Sequence, residues 1–332
     1  MKKVLVVGAA WVGDAVLSQP MLAALKHQGA EITVLAPRFT HGVLQRMDEV
    51  THLLDHPFPH GSLDLSGRRR LGRTLKASGF TQAILLPNSF KSALVPWFAK
   101  IPQRTGFIGE QRQWLLNDAR ALDRHALPLM VQRFLSLADA QGLCPDPCPR
   151  PRLTIHPEAQ QRTRERLGLT SAQPIAILCP GAEYGPAKRW PPHHYAHVAQ
   201  QWIKEGWQIW ILGSPKDRPV GEAIATTLSG PVHNLCGTTT LDEAVDLMAL
   251  AQRVVTNDSG LMHVAAALER PLVALFGSSS PKFTPPLSPS AQVLSLNLDC
   301  SPCFKRECPL GHLHCLVNLT PESVIDYFKN PS

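Results

Sequence analysis

Short β-rich runs, several of them apolar along their whole length, alternate with stretches of helical spacing and constrain this chain more than any other feature. In the first half they read "KVLVVG" (3–8), "EITVLA" (31–36), "THLLD" (51–55) and "QAILLP" (82–87). In the second they read "PIAILC" (174–179), "WQIWILG" (207–213), "VHNLC" (232–236), "RVVTN" (253–257) and "PLVALF" (271–276). A strand that is apolar along its whole length must be covered on both faces, which is the situation of a parallel sheet between helices. The pattern occurs twice, so an α/β chain of two doubly wound, Rossmann-like domains is expected. The proline-dense "CPDPCPRPRLTIHPE" (144–158) reads as the join, giving domains 1–155 and 156–332. Open parallel sheets bind ligands beyond the carboxyl ends of their strands. Two of them facing a central cleft would gather every loop considered below.

A length of 332 residues suits about two domains. Hydrophobic content of 44% and charged content of 18% are those of a globular protein. No apolar run approaches the ~18 residues of a membrane span. The start, "MKKVLVVGAAWVGDAVLSQP", imitates a secretion signal, but Asp14 interrupts the run and Val16, Leu17, Met21, Ala24 and Leu25 continue it with helical spacing. A cytoplasmic protein with its eight cysteines mostly reduced is expected. The net charge of +7 lies in the first half, where 18 Lys+Arg face 11 Asp+Glu; residues 151–332 carry 15 of each.

The loops after the strands carry the chemistry. In "GAAWVGDAVLSQP" (8–20), Gly8 and Gly13 flank a turn and Asp14 opens a helix. As local structure, Asp14 is a helix-start residue favoured by the dipole. As chemistry, it is an ionised carboxylate able to accept a proton. The glycine spacing is not G-x-G-x-x-G, so the dinucleotide fingerprint is broken. In "CPGAEYGPAKRWPP" (179–192), Gly181 and Gly185 let backbone N–H groups approach an anion, Lys188 and Arg189 supply charge, and a helix begins near Pro191-Pro192. A solvated Lys-Arg pair on a turn is the plainer account. Together, glycines, cations and helix start suit a phosphate or diphosphate.

In "VVTNDSGLMHVAAAL" (254–268), Asp258 is either an N-cap or a ligand for sugar hydroxyls. The Ser259 and Gly260 amides suit phosphate, and His263 follows one turn on, where a packing histidine is also ordinary. Thr240 and Glu243 make a capping-box pattern, beside which Thr239 lines a possible nucleotide pocket. Asp217, in "GSPKDRP" (213–219), is placed to meet a ribose or is a surface turn residue. Cys300, Cys303, Cys308 and Cys315 give C-x2-C-x4-C-x6-C with His312 and His314 inside, which is either a structural metal site or a set of reduced, packed thiols. Between Arg68 and Arg124 lie 11 cations and three acids, either a solvated face or an attraction for an anionic membrane. The aromatics there are not spaced as a stacking platform, which argues against nucleic acid.

The order and spacing of "GDAVLSQP", "CPGAEYGPAKRWP" and "NDSGLMHVAAAL" over nearly the whole chain resemble the bacterial ADP-heptose:lipopolysaccharide heptosyltransferases. "PGAEYGPAKRWP" with "CSPCFKRECPLGHLHC" resembles the branch that adds the second heptose more than the first. The resemblance implies a GT-B fold, with an N-terminal acceptor domain and a C-terminal donor domain. It implies an inverting transfer of L-glycero-D-manno-heptose from ADP-heptose to the first heptose of a heptosyl-Kdo2-lipid A type acceptor, by an enzyme held peripherally at the cytoplasmic face of the inner membrane. By carry-over, Asp14 is the catalytic base, Lys188 binds the donor phosphates beside Gly181, and Asp258 holds the donor heptose with Ser259, Gly260 and His263. Asp217 and Thr239 fall near the adenosine. Arg68, Arg69, Arg70, Arg104 and Arg120 would face the anionic acceptor and membrane. No cofactor is implied, and no D-x-D stands near either phosphate loop. The nearest alternatives are heptosyltransferases acting elsewhere in the core and a sugar-nucleotide epimerase. An NADP-dependent oxidoreductase, with Arg38 on a 2′-phosphate, or a non-catalytic nucleotide-binding module would come from other classes.

Overall fold

A computed structural model describes residues 2–59, 61–169 and 172–329. The chain divides into two compact units, 1–152 and 153–332. In the first, the strands are β1 (Lys2–Val7), β2 (Ala30–Ala36), β3 (His52–Asp55), β4 (Gln82–Leu85), β5 (Gln103–Phe107) and β6 (Asp118–Arg120), in the order β3-β2-β1-β4-β5-β6. In the second they are β7 (Ile175–Cys179), β8 (Gln208–Ile211), β9 (Val232–Asn234), β10 (Arg253–Asn257), β11 (Leu272–Leu275) and β12 (Ala291–Leu294), in the order β12-β11-β10-β7-β8-β9. All pairings are parallel. Both units thus repeat the doubly wound order, and each reverses direction beside its first strand, between β1 and β4 and between β7 and β10.

The nine strands read from apolar runs are present. Val4–Val7 and Ile177–Leu178 are buried on both faces, as a central parallel strand requires. Three strands escaped that reading: β5, β6 and β12. β6 and β12 are edge strands and β5 is the neighbour of β6, positions where polar residues such as Gln103, Arg104 and Asp118 are tolerated. In the second unit Trp190, Tyr195 and Trp202 of the loop and helix Pro192–Lys204 pack with Leu316, Val324 and Ile325, so the C-terminal helix Pro321–Lys329 closes that core. Among the described residues, no helix is long and apolar enough to cross a membrane.

Two local expectations are corrected. Gly13 does not flank the turn after β1; it is the second residue of the helix Val12–Leu17, whose N-cap is Trp11. The cations expected on one face of the first unit do not all reach the surface. Arg68, on the helix Leu65–Leu75, is buried; it donates to Leu63 O (2.6 Å), Lys91 O (3.1 Å) and Ser62 O (3.3 Å) and lies 4.2 Å over the Phe58 ring. Arg104 donates to Leu115 O and Ile101 O, and Arg120 pairs with Asp118 at 2.8 Å and donates to Ser136 O and Asp139 O. Guanidinium groups with several donors in a fixed fork suit such internal carbonyls. Of the five, only Arg69 and Arg70 are exposed.

Candidate functional site

The site in the second unit is built where β7 and β10 run side by side. Their register pairs Cys179 with Thr256, so Pro180, the first residue beyond β7, comes level with Asn257, the last residue of β10. Asn257 is fully buried and clips the loop after β7 at both ends. Its Oδ1 accepts from Trp190 N and Tyr195 Oη, each at 3.0 Å; its Nδ2 donates to Pro180 O at 2.7 Å and Gly181 O at 3.4 Å. Sequence reasoning passed over Asn257. The available signal was an amide at the end of the buried strand "RVVTN", just before the glycine-bearing loop.

Held this way, the turn Pro186–Lys188 delivers Lys188 to Asp258, with Nζ 2.5 Å from Oδ2. Ser279 Oγ donates to the same carboxylate oxygen. The Tyr184 ring lies 5.1 Å from the Lys188 ammonium. Asp258 is therefore not the helix cap it could have been: the N-cap of the helix Gly260–Ala267 is Ser259, whose Oγ lies 3.3 Å from Thr256 Oγ1. His263 is buried in the first turn of that helix. Burial pushes its pKa down to about 4, Asp258 opposing and Lys188 assisting, so the imidazole is neutral near pH 7. The result is one ammonium, one carboxylate and one neutral ring on the two loops flanking the reversal of strand order. An ammonium has three donors, so Lys188 can hold Asp258 and a phosphate oxygen together.

Gly181 is required by close approach. A Cβ there would stand 2.5 Å from the Asp217 carboxyl carbon. Asp217 is buried at the end of the turn Pro215–Asp217, where its Oδ2 accepts from Ser214 N (2.9 Å) and Ser214 Oγ (2.7 Å). Its other oxygen lies 3.9 Å from Arg189 Nη2, and the Arg189 Nε is buried with no partner. Asp217 thus packs against the loop at Gly181 from the side rather than standing on a surface turn. Thr239 is half-buried and immediately precedes Thr240, the N-cap of the helix Leu241–Met248, whose backbone N–H is accepted by Glu243 at 2.9 Å. Behind the loop runs the cysteine-bearing segment. Ala187 N donates to Arg306 O (3.0 Å) and Tyr184 Oη to Phe304 O (2.8 Å). Cys300, Cys303, Cys308 and Cys315 are free thiols. Among the described residues, no group of three or more His, Cys, Asp or Glu stands arranged to hold a metal ion.

In the first unit, Asp14 is half-buried in the first turn of the helix that follows β1, beside the reversal between β1 and β4. The same unit buries Arg112 completely; its guanidinium donates to Phe107 O, Pro87 O, Ser92 Oγ and Asn88 Oδ1, tying together the segments after β4 and β5. Burial lowers its pKa to about 10.

The family model for glycosyltransferase family 9 (heptosyltransferase) matches residues 68–314. The lipopolysaccharide heptosyltransferase 2 of Escherichia coli K12 is 46% identical over 98% of this chain and 97% of its own length. The lipooligosaccharide heptosyltransferase 2 of Haemophilus influenzae is 43% identical, covering 97% of each. Among solved structures, the E. coli ADP-heptose LPS heptosyltransferase II superposes with a TM-score of 0.88 at 44% identity, over 99% of this chain and 98% of that one. A glycosyl transferase family 9 protein from Veillonella parvula shares the fold, with a TM-score of 0.85 at 24% identity over 99% and 96%.

Proposed function

The chain belongs to glycosyltransferase family 9, the heptosyltransferases, and from that premise we propose that it moves L-glycero-D-manno-heptose from ADP-heptose to the first heptose of the lipopolysaccharide inner core. Full-length likeness to heptosyltransferase 2 relatives supports the second-heptose acceptor over an acceptor bearing no heptose. The observation that carries the donor half is the Lys188–Asp258 pair, standing where β7 and β10 diverge, the usual place for a nucleotide in such a sheet.

In this reading residues 1–155 bind the acceptor and 156–332 the donor. Asp14 removes the proton from the acceptor hydroxyl as its oxygen attacks the anomeric carbon of the heptose. The bond from that carbon to the β-phosphate oxygen breaks, its electron pair leaves with ADP, and the configuration inverts. Lys188, the backbone about Gly181 and the Ser259–Gly260 helix start meet the growing diphosphate charge. Asp258 and the neutral His263 hold the sugar's hydroxyls, and Asp217 and Thr239 border the adenosine. Arg69 and Arg70, the exposed pair, attract the anionic acceptor from the cytoplasmic face of the inner membrane, where the enzyme binds peripherally.

The test is ADP-heptose offered against a panel of acceptors: Kdo2-lipid A, its mono-heptosylated form and its di-heptosylated form. Transfer to the mono-heptosylated form is expected. Transfer to Kdo2-lipid A alone would reject the acceptor assignment, and no transfer to any would reject the donor.

A further inference from the structure

We infer that Cys300, Cys303, Cys308 and Cys315 form a structural site for one divalent transition metal, zinc being the ion their chemistry suits, and that this site braces the Tyr184–Lys188 loop from behind. The four thiols and His312 line one small cavity, together with Ala187 of that loop and Ser278. Thiolate-rich sets of this kind select tetrahedral zinc. Gly311, between Cys308 and Cys315, has φ +71°, a backbone conformation favouring glycine.

The segment needs such a staple. Residues 295–313 contain no helix or strand, and Phe304 and Leu310 expose more than half of their surface, so little core holds it. Besides the carbonyls of Phe304 and Arg306 that meet Tyr184 and Ala187, Phe304 N donates to Ser278 O (2.7 Å) and Ser301 Oγ to Gly277 O (2.5 Å). As the side chains lie, no three donors are gathered for an ion, so binding draws the sulfurs inward by rotation about their Cα–Cβ bonds.

The position of the cysteines in sequence connects the site to the loop. Phe304 and Arg306, whose carbonyls accept from Tyr184 and Ala187, lie between Cys303 and Cys308. A Cβ on Gly185 would stand 2.5 Å from Arg306 O, so the two backbones are already in contact. Fixing both flanking cysteines to one ion fixes the wall against which Lys188 is presented.

The test begins with elemental analysis of the full chain purified without chelators. About one zinc per chain is expected, with cobalt substitution giving thiolate charge-transfer and tetrahedral ligand-field bands. Cys303→Ser and Cys308→Ser should lose the metal, while Cys144→Ser and Cys148→Ser should keep it. No bound metal together with no cobalt–thiolate bands, or disulfides within the four, overturns the site. These outcomes are read on the unmutated chain, so a variant that fails to fold does not block them. The bracing claim rests on the nucleotide-sugar reading and has its own arm: ADP binding to the folded Cys308→Ser chain should weaken by about tenfold. Unchanged ADP affinity with the metal gone overturns bracing alone. Failure of the unmutated chain to bind ADP would instead strike the functional reading.

Discussion

The Lys188 ammonium lies 2.5 Å from the Asp258 carboxylate, a contact between residues 70 apart in sequence. Both side chains are largely buried, at 17% and 7% exposure, so each is the other's main compensation for lost water. Lys188→Ala should weaken ADP binding by roughly 30-fold, the loss of a charged hydrogen bond worth about 2 kcal/mol. Titration calorimetry reads this, and an unchanged dissociation constant removes Lys188 as the phosphate clamp. The same change leaves the Asp258 carboxylate with the Ser279 hydroxyl as a donor but without its ammonium partner. Lys188→Ala should therefore also lower the urea midpoint, and adding Asp258→Asn should recover part of that loss.

Asp14→Asn separates binding from chemistry. The amide keeps the size of the side chain but cannot take the acceptor's proton. Turnover should fall by about 10²–10⁴-fold, with ADP affinity unchanged. Retention of full turnover would exclude Asp14 as the base.

His263 should leave a mark on acid stability. Its pKa is held down to about 4, chiefly by burial, against an unfolded value near 6.5. Because the folded value is depressed, the stabilisation it contributes is complete above pH 6.5 and lost as pH falls toward 4, where the unfolded chain binds the proton first. The difference amounts to about 3 kcal/mol across that window. His263→Gln should flatten the fall of the urea midpoint between pH 6.5 and 4; an identical slope in both proteins contradicts the assignment.

Asn257→Asp tests the clip. The change swaps the Nδ2 donor for an oxygen facing Pro180 O and Gly181 O, where two acceptors then oppose one another. A buried unsatisfied group costs about 1–3 kcal/mol, so a lower melting temperature is expected together with weaker ADP binding, because Gly181 and Trp190 bound the loop. Wild-type melting and affinity would show that the loop is held by other means.

Gly181→Ala places a methyl group against the Asp217 carboxylate. One of the two must shift, at a cost of about 1–3 kcal/mol. Thermal melting should show the loss. Gly206→Ala, whose Cβ would meet nothing within 4 Å but whose φ is +90°, serves as the comparison for backbone strain alone.

Much of the architecture was legible because burial on both faces writes itself into a strand. "KVLVVG" and "PIAILC" can only be central in a parallel sheet, and their alternation with helices makes the doubly wound order. Strands at or near an edge that are rich in polar residues leave no such trace: "QRTGF" and "DAR" carry charge and pair on residues that look like loop. Glycine-bearing loops after strands also announce themselves, since only certain residues permit backbone to approach an anion. Hence Lys188 and Asp258 were read at strand ends where β7 and β10 do deliver them.

By itself, then, the order of residues determined nine of the strands, where the chemical loops fall and which family the chain resembles, because these depend on local pattern. Which polar groups those loops hold was decided only in three dimensions. Arg68 and Arg69 are neighbours in one basic run, yet one is sealed against Phe58 and carbonyl oxygens while the other faces water. Asp258 could cap its own helix, yet it takes Lys188 from another strand's loop. A charged side chain removed from water settles on whatever compensating group the fold brings within reach, and that group is fixed by packing at long range, which no local pattern records.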